Sequence, residues 1–274
     1  MINIIIPMAG EGKRFSDAGY KKSKPTILTY DRHSFELKPM VVCAAGDLPG
    51  IGPKGENILF IDRDYHKQNG VEAEILNTYP MARFISLNHL TEGQACTCLK
   101  AKDFINNDKE LLIAGCDNGM DYSEEKFEQL KREADVIVFT YRHNEAVLEK
   151  PDAYGWMKID SKNNITEVSV KKAISDNPMN DHAVVSTFWF KRGKIFVEST
   201  EKMIKEQDKV NNEYYVDQVI KHALDLGYRA KVFEIDRYIC WGTPYEYELY
   251  QKTYEYWDGF YKEVIAKNEE GKNK

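Results

Sequence analysis

Residues Asn3–Pro25 read NIIIPMAGEGKRFSDAGYKKSKP, and the order of features in this stretch decides the fold. Three consecutive isoleucines, Ile4 to Ile6, follow Asn3 and form the short β-branched run of a buried strand. Pro7 closes the run, and the loop behind it carries Gly10 and Gly12 ahead of Arg14. Glycine lets backbone N–H groups converge on an anion, and the planar guanidinium of Arg14 can hold phosphate oxygens through its fork. The turn Gly19-Tyr20 and the dipeptide Lys24-Pro25 come shortly afterward, which makes the combination far more specific than a lone Gly-x-Gly with a basic residue.

Outward from this stretch, apolar runs recur at Asn57–Ile61, Phe84–Leu87, Leu111–Ala114 and Val136–Tyr141, most of them separated by helix-like segments. That alternation predicts an α/β fold with a parallel sheet. A helix is predicted over Gln94–Phe104, and another after Ser123, which sits at a capping position before Glu124 and Glu125. Beyond Lys150 the texture changes. Gly155–Ile159, Ile165–Val170 and Val184–Phe190 alternate in the manner of half-solvated antiparallel strands. Helices over Lys194–Gln207 and Tyr215–Leu226 follow, then a strand over Ala230–Ile235. In the last segment Tyr247, Tyr250, Tyr254, Trp257, Tyr261 and Val264 recur every three or four residues and define one apolar helix face, read either as core packing or as a dimer surface.

Composition narrows the function. With 42% apolar and 30% charged residues in 274, the chain can bury a full core, and global disorder is excluded. Lys+Arg 38 against Asp+Glu 44 leaves a net charge of −6, so no basic field exists for nucleic acid or an anionic bilayer. No apolar stretch approaches the ~20 residues of a membrane span. The apolar start is stopped by Pro7 and Glu11, so no secretory leader is expected either. Five cysteines, an odd number without a C-x-x-C pair, fit a reducing, cytoplasmic compartment. His66 and His89 are not placed with a nucleophile.

Together, Ile5-Ile6-Pro7-Met8-Ala9-Gly10-x-Gly12-x-Arg14-Phe15, Gly19-Tyr20, Lys24-Pro25, Thr91-Glu92-Gly93, Cys116-Asp117-Asn118, Asn212-Glu213-Tyr214-Tyr215 and Gly242-Thr243-Pro244 resemble the nucleotidyltransferase family of nucleoside-diphosphate-sugar pyrophosphorylase-like enzymes, from Ile4 to about Tyr250. Within it the chain is most similar to the short bacterial branch of capsule and lipopolysaccharide pathways, which lacks a C-terminal left-handed β-helix. Some members of that branch are cytidylyltransferases, and one joins CTP to phosphoglutamine. The resemblance implies a Rossmann-like three-layer α/β/α mixed sheet of the GT-A-like kind with a smaller acceptor-binding subdomain. A single domain then spans residues 1–262, with a nucleotide-binding half over 1–145, an acceptor-binding half over 146–244 and a C-terminal helix over 245–262. A polar, frayed tail over 263–274 completes the division. The implied reaction moves a nucleoside monophosphate from a nucleoside triphosphate, CTP foremost, to a phosphorylated small molecule with release of pyrophosphate. Neither nucleic acid nor membrane is an implied partner. A glycosyltransferase, or a non-catalytic nucleotide-binding regulatory paralogue of the same fold, is the alternative.

By the same resemblance Met8, Ala9, Gly10, Gly12 and Arg14 hold the triphosphate, and Lys24 lies near the reacting phosphates. Glu92, Gly93 and Gln94 form the turn that meets the base. Asp117 ligates Mg²⁺ or Mn²⁺, and its place after an apolar strand agrees with ligand binding at the carboxyl edge of a parallel sheet. The acceptor phosphate falls to Lys171, with Lys172 as the register-shifted alternative, where the family carries a Glu-Lys pair and this chain has Val170 in the acidic place. Glu213 either caps the following helix or accepts hydrogen bonds from the acceptor. Sugar-nucleotide relatives often carry a second metal ligand two residues before Gly-Thr-Pro; here that residue is Cys240, and Asp236 is the offset substitute.

Overall fold

The computed structural model describes residues 2–272, with side-chain surroundings defined through Val264. Its first strands are β1 (Asn3–Pro7), β2 (Leu28–Tyr30), β3 (Leu37–Pro39), β4 (Ile58–Arg63), β5 (Arg83–Leu87), β6 (Leu111–Ile113) and β7 (Asn118–Asp121). Then come β8 (Val136–Tyr141), β9 (Gly155–Ile159), β10 (Ile165–Val170), β11 (His182–Phe190), β12 (Ala230–Glu234) and β13 (Arg237–Cys240). The main sheet runs β12-β8-β11-β6-β1-β4-β5. Its pairs β1–β4, β1–β6, β4–β5 and β8–β12 are parallel, while β11 runs antiparallel to both β6 and β8. The antiparallel hairpin β9–β10 joins the start of β11, pairing His182 with Met157 and Ala183 with Trp156.

The central strands bury both faces, which is why they read as unbroken apolar runs rather than alternating ones. Ile5, Leu59, Ile61, Ile113 and Val138 face the layer formed by the helices Gln94–Leu99, Gly193–Lys205 and Val216–Asp225. Ile4, Ile6, Phe60, Leu112 and Phe139 face the helices Met40–Gly46, Val71–Leu76 and Glu124–Leu130. Two helix layers on one mixed sheet make the three-layer α/β/α architecture. Ser123 does cap its helix, accepting from Lys126 N at 3.3 Å.

Three local expectations change. The helix predicted over Gln94–Phe104 is two, Gln94–Leu99 and Lys102–Ile105, because Lys100 and Ala101 N–H groups bond three residues back to Thr97 and Cys98 and tighten the chain into a 3₁₀ turn. β11 is interrupted by a bulge between Val184 and Phe188, where Ser186 has a left-handed φ of 57°. The last helix extends over Pro244–Lys272, past the boundary drawn at 262, because Lys, Glu and Ala there are strong helix formers and no proline intervenes. Residues 273–274 lie outside the described residues. On that helix Tyr247 and Tyr250 are buried and Tyr254 packs against them, whereas Trp257, Tyr261 and Val264 are exposed, so the predicted apolar face is core for only half its length. No helix among the described residues is long and apolar enough to cross a membrane.

A buried charge within the sheet sets a pH dependence. Asp62 on β4 is fully buried, and burial lifts its pKa from 3.8 to about 6. Above pH 6 the folded state carries this carboxylate ionised at a cost; below about pH 3 both folded and unfolded chains hold it neutral, and the cost vanishes. Asp62→Asn therefore raises stability at pH 8 by up to about 3 kcal/mol and at pH 4 by only about 0.5 kcal/mol, as read by urea unfolding at the two pH values.

Candidate active site

The loops that follow β1, β4, β5 and β6 converge on a cleft of about 750 Å³ over the carboxyl edge of the sheet. Pro7 to Lys24 supplies most of one wall. Gly12 holds φ at 64°, a conformation other side chains resist, and its carbonyl accepts from Phe15 and Ser16 N–H to start the short helix Lys13–Asp17. Phe15 is buried edge-on against Tyr20 and Tyr247, while its neighbour Arg14 stays exposed and lines the cleft. One anchored and one projecting residue in adjacent positions fix where the guanidinium can reach. A side chain at Gly10 would meet no atom within 4 Å, so this part of the loop leaves room for a ligand. Met8 and Ala9 form the buried floor.

Lys24 opens the turn Lys24–Thr26, and its Nζ donates to Asp117 Oδ2 at 2.5 Å and to the Gly242 carbonyl at 3.2 Å. Burial disfavours its charge, but the Asp117 carboxylate outweighs that, and the Lys24 pKa stays above its ordinary value. Asp117 is about a third exposed and opens toward the cleft. Its neighbours Cys116 and Cys240 are pushed up to about 12 by burial, so both thiols stay protonated near neutral pH. The Asp117 carboxylate is a hard oxygen donor for a cation here.

The opposite wall contains Thr91, Gly93, Gln94 and Thr97. Gly93 has φ of 128°, and a Cβ there would lie 2.5 Å from Tyr214 N and O. This close approach is sealed by Tyr214 N–H donating to Glu92 O and Ala95 N–H donating to Tyr214 O. Glu92 itself turns outward to an ion pair with Lys209 at 2.5 Å and does not line the cleft.

Glu213 lines the cleft, and it does not cap the helix behind it: Tyr215 holds the N-cap position without any side-chain cap bond. Lys171, at φ 56°, turns inward from the end of β10, donates from Nζ to the Ala153 carbonyl and lies over the Tyr215 ring. Burial lowers its pKa; Asp217 works against that fall, and the nearby Arg14 adds to it. Lys172 is exposed on the other side of the strand end. Asp236 is far from Asp117. It sits at the opposite end of the ribbon β7–β13, its N–H bonded to Asp121 O, four positions from Cys240, or about 13 Å at strand spacing. Cys240 occupies the place beside Asp117 instead, with both side chains crowding Gly242.

A model of the nucleotidyl transferase family matches residues 3–258. The chain belongs to that family. Three solved structures share the nucleotidyltransferase fold. The nucleoside-diphosphate-sugar pyrophosphorylase from Vibrio cholerae superposes with a TM-score of 0.70 at 19% identity, covering 91% of this chain and 99% of that one. HddC from Yersinia pseudotuberculosis complexed with GMP-PN gives 0.60 at 16% identity over 92% and 100%. The inositol-1-phosphate CTP transferase from T. maritima gives 0.60 at 14% identity over 92% and 93%. No curated protein sequence matches the chain.

Two residues that line this nucleotidyltransferase cleft, and one beside Lys171 outside its lining, carry no clear mark in the sequence. Tyr65, after β4, lines the cleft and donates from its hydroxyl to Gly10 O at 3.3 Å, bracing the loop. Ser186 reaches the cleft only because of the bulge in β11. Asp217 follows Val216 in the first turn of a helix, where a carboxylate is ordinary, yet it packs against Gly155 and faces Lys171. Burial raises the Asp217 pKa, with Lys171 as the charge opposing that rise.

The Gly93 contact is testable. Gly93→Ala forces Tyr214 and the Glu92 turn apart, and it destabilises the protein by at least about 1–3 kcal/mol while raising the KM for nucleoside triphosphate. Thermal unfolding and steady-state kinetics read both effects.

Proposed function

We propose that the protein transfers a nucleoside monophosphate from a nucleoside triphosphate, CTP in the first instance, to a phosphorylated small molecule of the sugar-phosphate or phosphoglutamine kind. Pyrophosphate is released, and the product serves capsule or surface-polysaccharide precursor synthesis. The observation that carries this reading is the meeting of Arg14, Lys24 and Asp117 in one cleft at the carboxyl edge of the sheet. The neighbours support the substrate classes, since one is named for CTP and inositol-1-phosphate and another holds GMP-PN. Gln94 on the nucleoside wall carries both a donor and an acceptor for a base edge.

In the proposed reaction an oxygen of the acceptor phosphate attacks the α-phosphorus. The bond from that phosphorus to the β-phosphate oxygen breaks, and pyrophosphate leaves. A phosphate monoester is already largely dianionic at neutral pH, with a second pKa of about 6, so the attack needs no protein base. What the chain must supply is the pairing of two polyanions in line and relief of their charge. Arg14, the Gly10–Gly12 amides and Lys24 take the triphosphate; Lys171 and Glu213 take the acceptor. Asp117, an oxygen donor beside protonated thiols, suits Mg²⁺ or Mn²⁺, which bind through one or two carboxylates and substrate phosphates. The bound ion supplies further charge neutralisation at the phosphates.

Pyrophosphate release with a panel of nucleoside triphosphates and phosphorylated acceptors tests the reading directly. Release that requires both substrates supports it. Binding of nucleotide without release assigns the chain to a regulatory role, and release of free nucleoside diphosphate from a nucleotide sugar assigns it to glycosyl transfer. In the same assay Arg14→Ala lowers turnover by about a hundredfold, the usual loss for one transition-state charge contact.

The acceptor side separates two neighbouring lysines. Lys171→Ala raises the acceptor KM and leaves the triphosphate KM nearly unchanged, whereas Lys172→Ala, on the exposed side, changes neither. A larger loss for Lys172→Ala in kinetics at saturating triphosphate moves the acceptor contact by one position.

A further inference from the structure

Outside the cleft, two helices bring a histidine and two carboxylates together. Glu206 ends the helix Gly193–Lys205, and His222 and Asp225 stand one turn apart on Val216–Asp225. One ligand atom from each lies within 4.8 Å of the others. None of the three lines the nucleotide cleft.

The histidine is the informative member, because its side chain is fully buried. Nε2 lies 2.9 Å from Asp208 Oδ2, and Asp208 is itself held by Gln218 at 2.8 Å and Lys221 at 2.6 Å. Gln218 Nε2 and Lys221 Nζ both donate to that oxygen, and the imidazole joins them as a third donor through Nε2. Nδ1 has no hydrogen-bond partner and faces Glu206 Oε2 at 3.4 Å. A buried imidazole nitrogen facing a carboxylate oxygen is satisfied by a cation between them, either a proton or a metal ion. A carboxylate on one imidazole nitrogen, with the other left free, is also the arrangement that orients metal-ligating histidines.

Lys202 bears on the same place. Its Nζ bridges Glu206 Oε1 at 2.6 Å and Asp225 Oδ2 at 3.4 Å, neutralising the carboxylates without meeting Nδ1. A lysine side chain on its long stem can swing to solvent and surrender the position.

We infer that Glu206, His222 and Asp225 form a cation site for a zinc-class ion, with Lys202 as its internal competitor. One imidazole nitrogen and two carboxylate oxygens plus water complete the four-coordinate shell that Zn²⁺ takes, and Mg²⁺ is a poor match to a nitrogen donor. The site joins two helices and acts as a staple, not as a reaction centre. Val216–Asp225 begins beside Asp217 and Lys171, so the staple fixes the far end of the helix that bears the acceptor pocket.

The test is calorimetric titration of Zn²⁺ into the full, chelator-stripped chain with excess Mg²⁺ present. Glu206 and Asp225 are about half exposed, so Glu206→Gln and Asp225→Asn keep the fold intact. Each weakens zinc binding by about tenfold or more, while Lys202→Met tightens it by a similar factor. Cobalt(II) in place of zinc gives the visible absorption of a four-coordinate site, lost in both carboxamide variants. Absence of zinc binding, equal affinity in all variants, or weakening by Lys202→Met overturns the inference.

Discussion

One ammonium group, Lys24 Nζ, ties together three segments that are remote in sequence. It joins the end of the glycine loop to the Asp117 carboxylate after β6 and to the Gly242 carbonyl after β13. A partly buried ion pair gains little net stability, because desolvation offsets the Coulomb attraction. Its value lies in placement. With Lys24 between them, the loop after β1 and the strand-end carboxylate cannot drift apart, and the β7–β13 ribbon is held close above both. Incoming phosphates therefore meet a cation and a carboxylate that are already oriented, so less ordering has to accompany binding.

Lys171 and Asp217 use the same economy. Lys171 follows the uncharged Val170, and its opposite charge comes from Asp217 across the gap between β10 and a helix. Burial raises one pKa and lowers the other, so each member of the pair is poised less firmly charged than it would be in water. A phosphate dianion arriving beside Lys171 would strengthen the ammonium and relieve that balance.

Much of this was legible in the chain itself, for identifiable reasons. Ile4 to Ile6 and Val136 to Tyr141 are buried on both faces, so composition alone marks them as inner strands. The loop from Gly10 to Arg14 is legible because backbone geometry demands glycine at Gly12. Features that arise from three-dimensional accidents of register were not. Ser186 reaches the cleft through a bulge that only the register of β11 against β8 reveals. Asp236 and Cys240 differ by four positions in sequence, and only the pairing of Cys240 with Asn118 shows which of them stands by Asp117. Glu92 belongs to a motif that reads as ligand-binding, yet the backbone of its turn makes the structural contact while its side chain faces Lys209.

The aromatic floor under the glycine loop has a further meaning for biosynthesis. Phe15 and Tyr20 rest on Tyr247, whose hydroxyl also donates to Leu28 O at 2.6 Å, and Tyr250 reaches Tyr30 O at 2.8 Å. These partners lie more than 200 positions apart. A ribosome delivers the loop more than 200 residues before its support, and loop closure over such a distance is slow and entropically costly. A nascent chain thus displays its central strands and basic loop well before the layer that rigidifies them, and the loop gains its aromatic support only once the helix Pro244–Lys272 has emerged and docked.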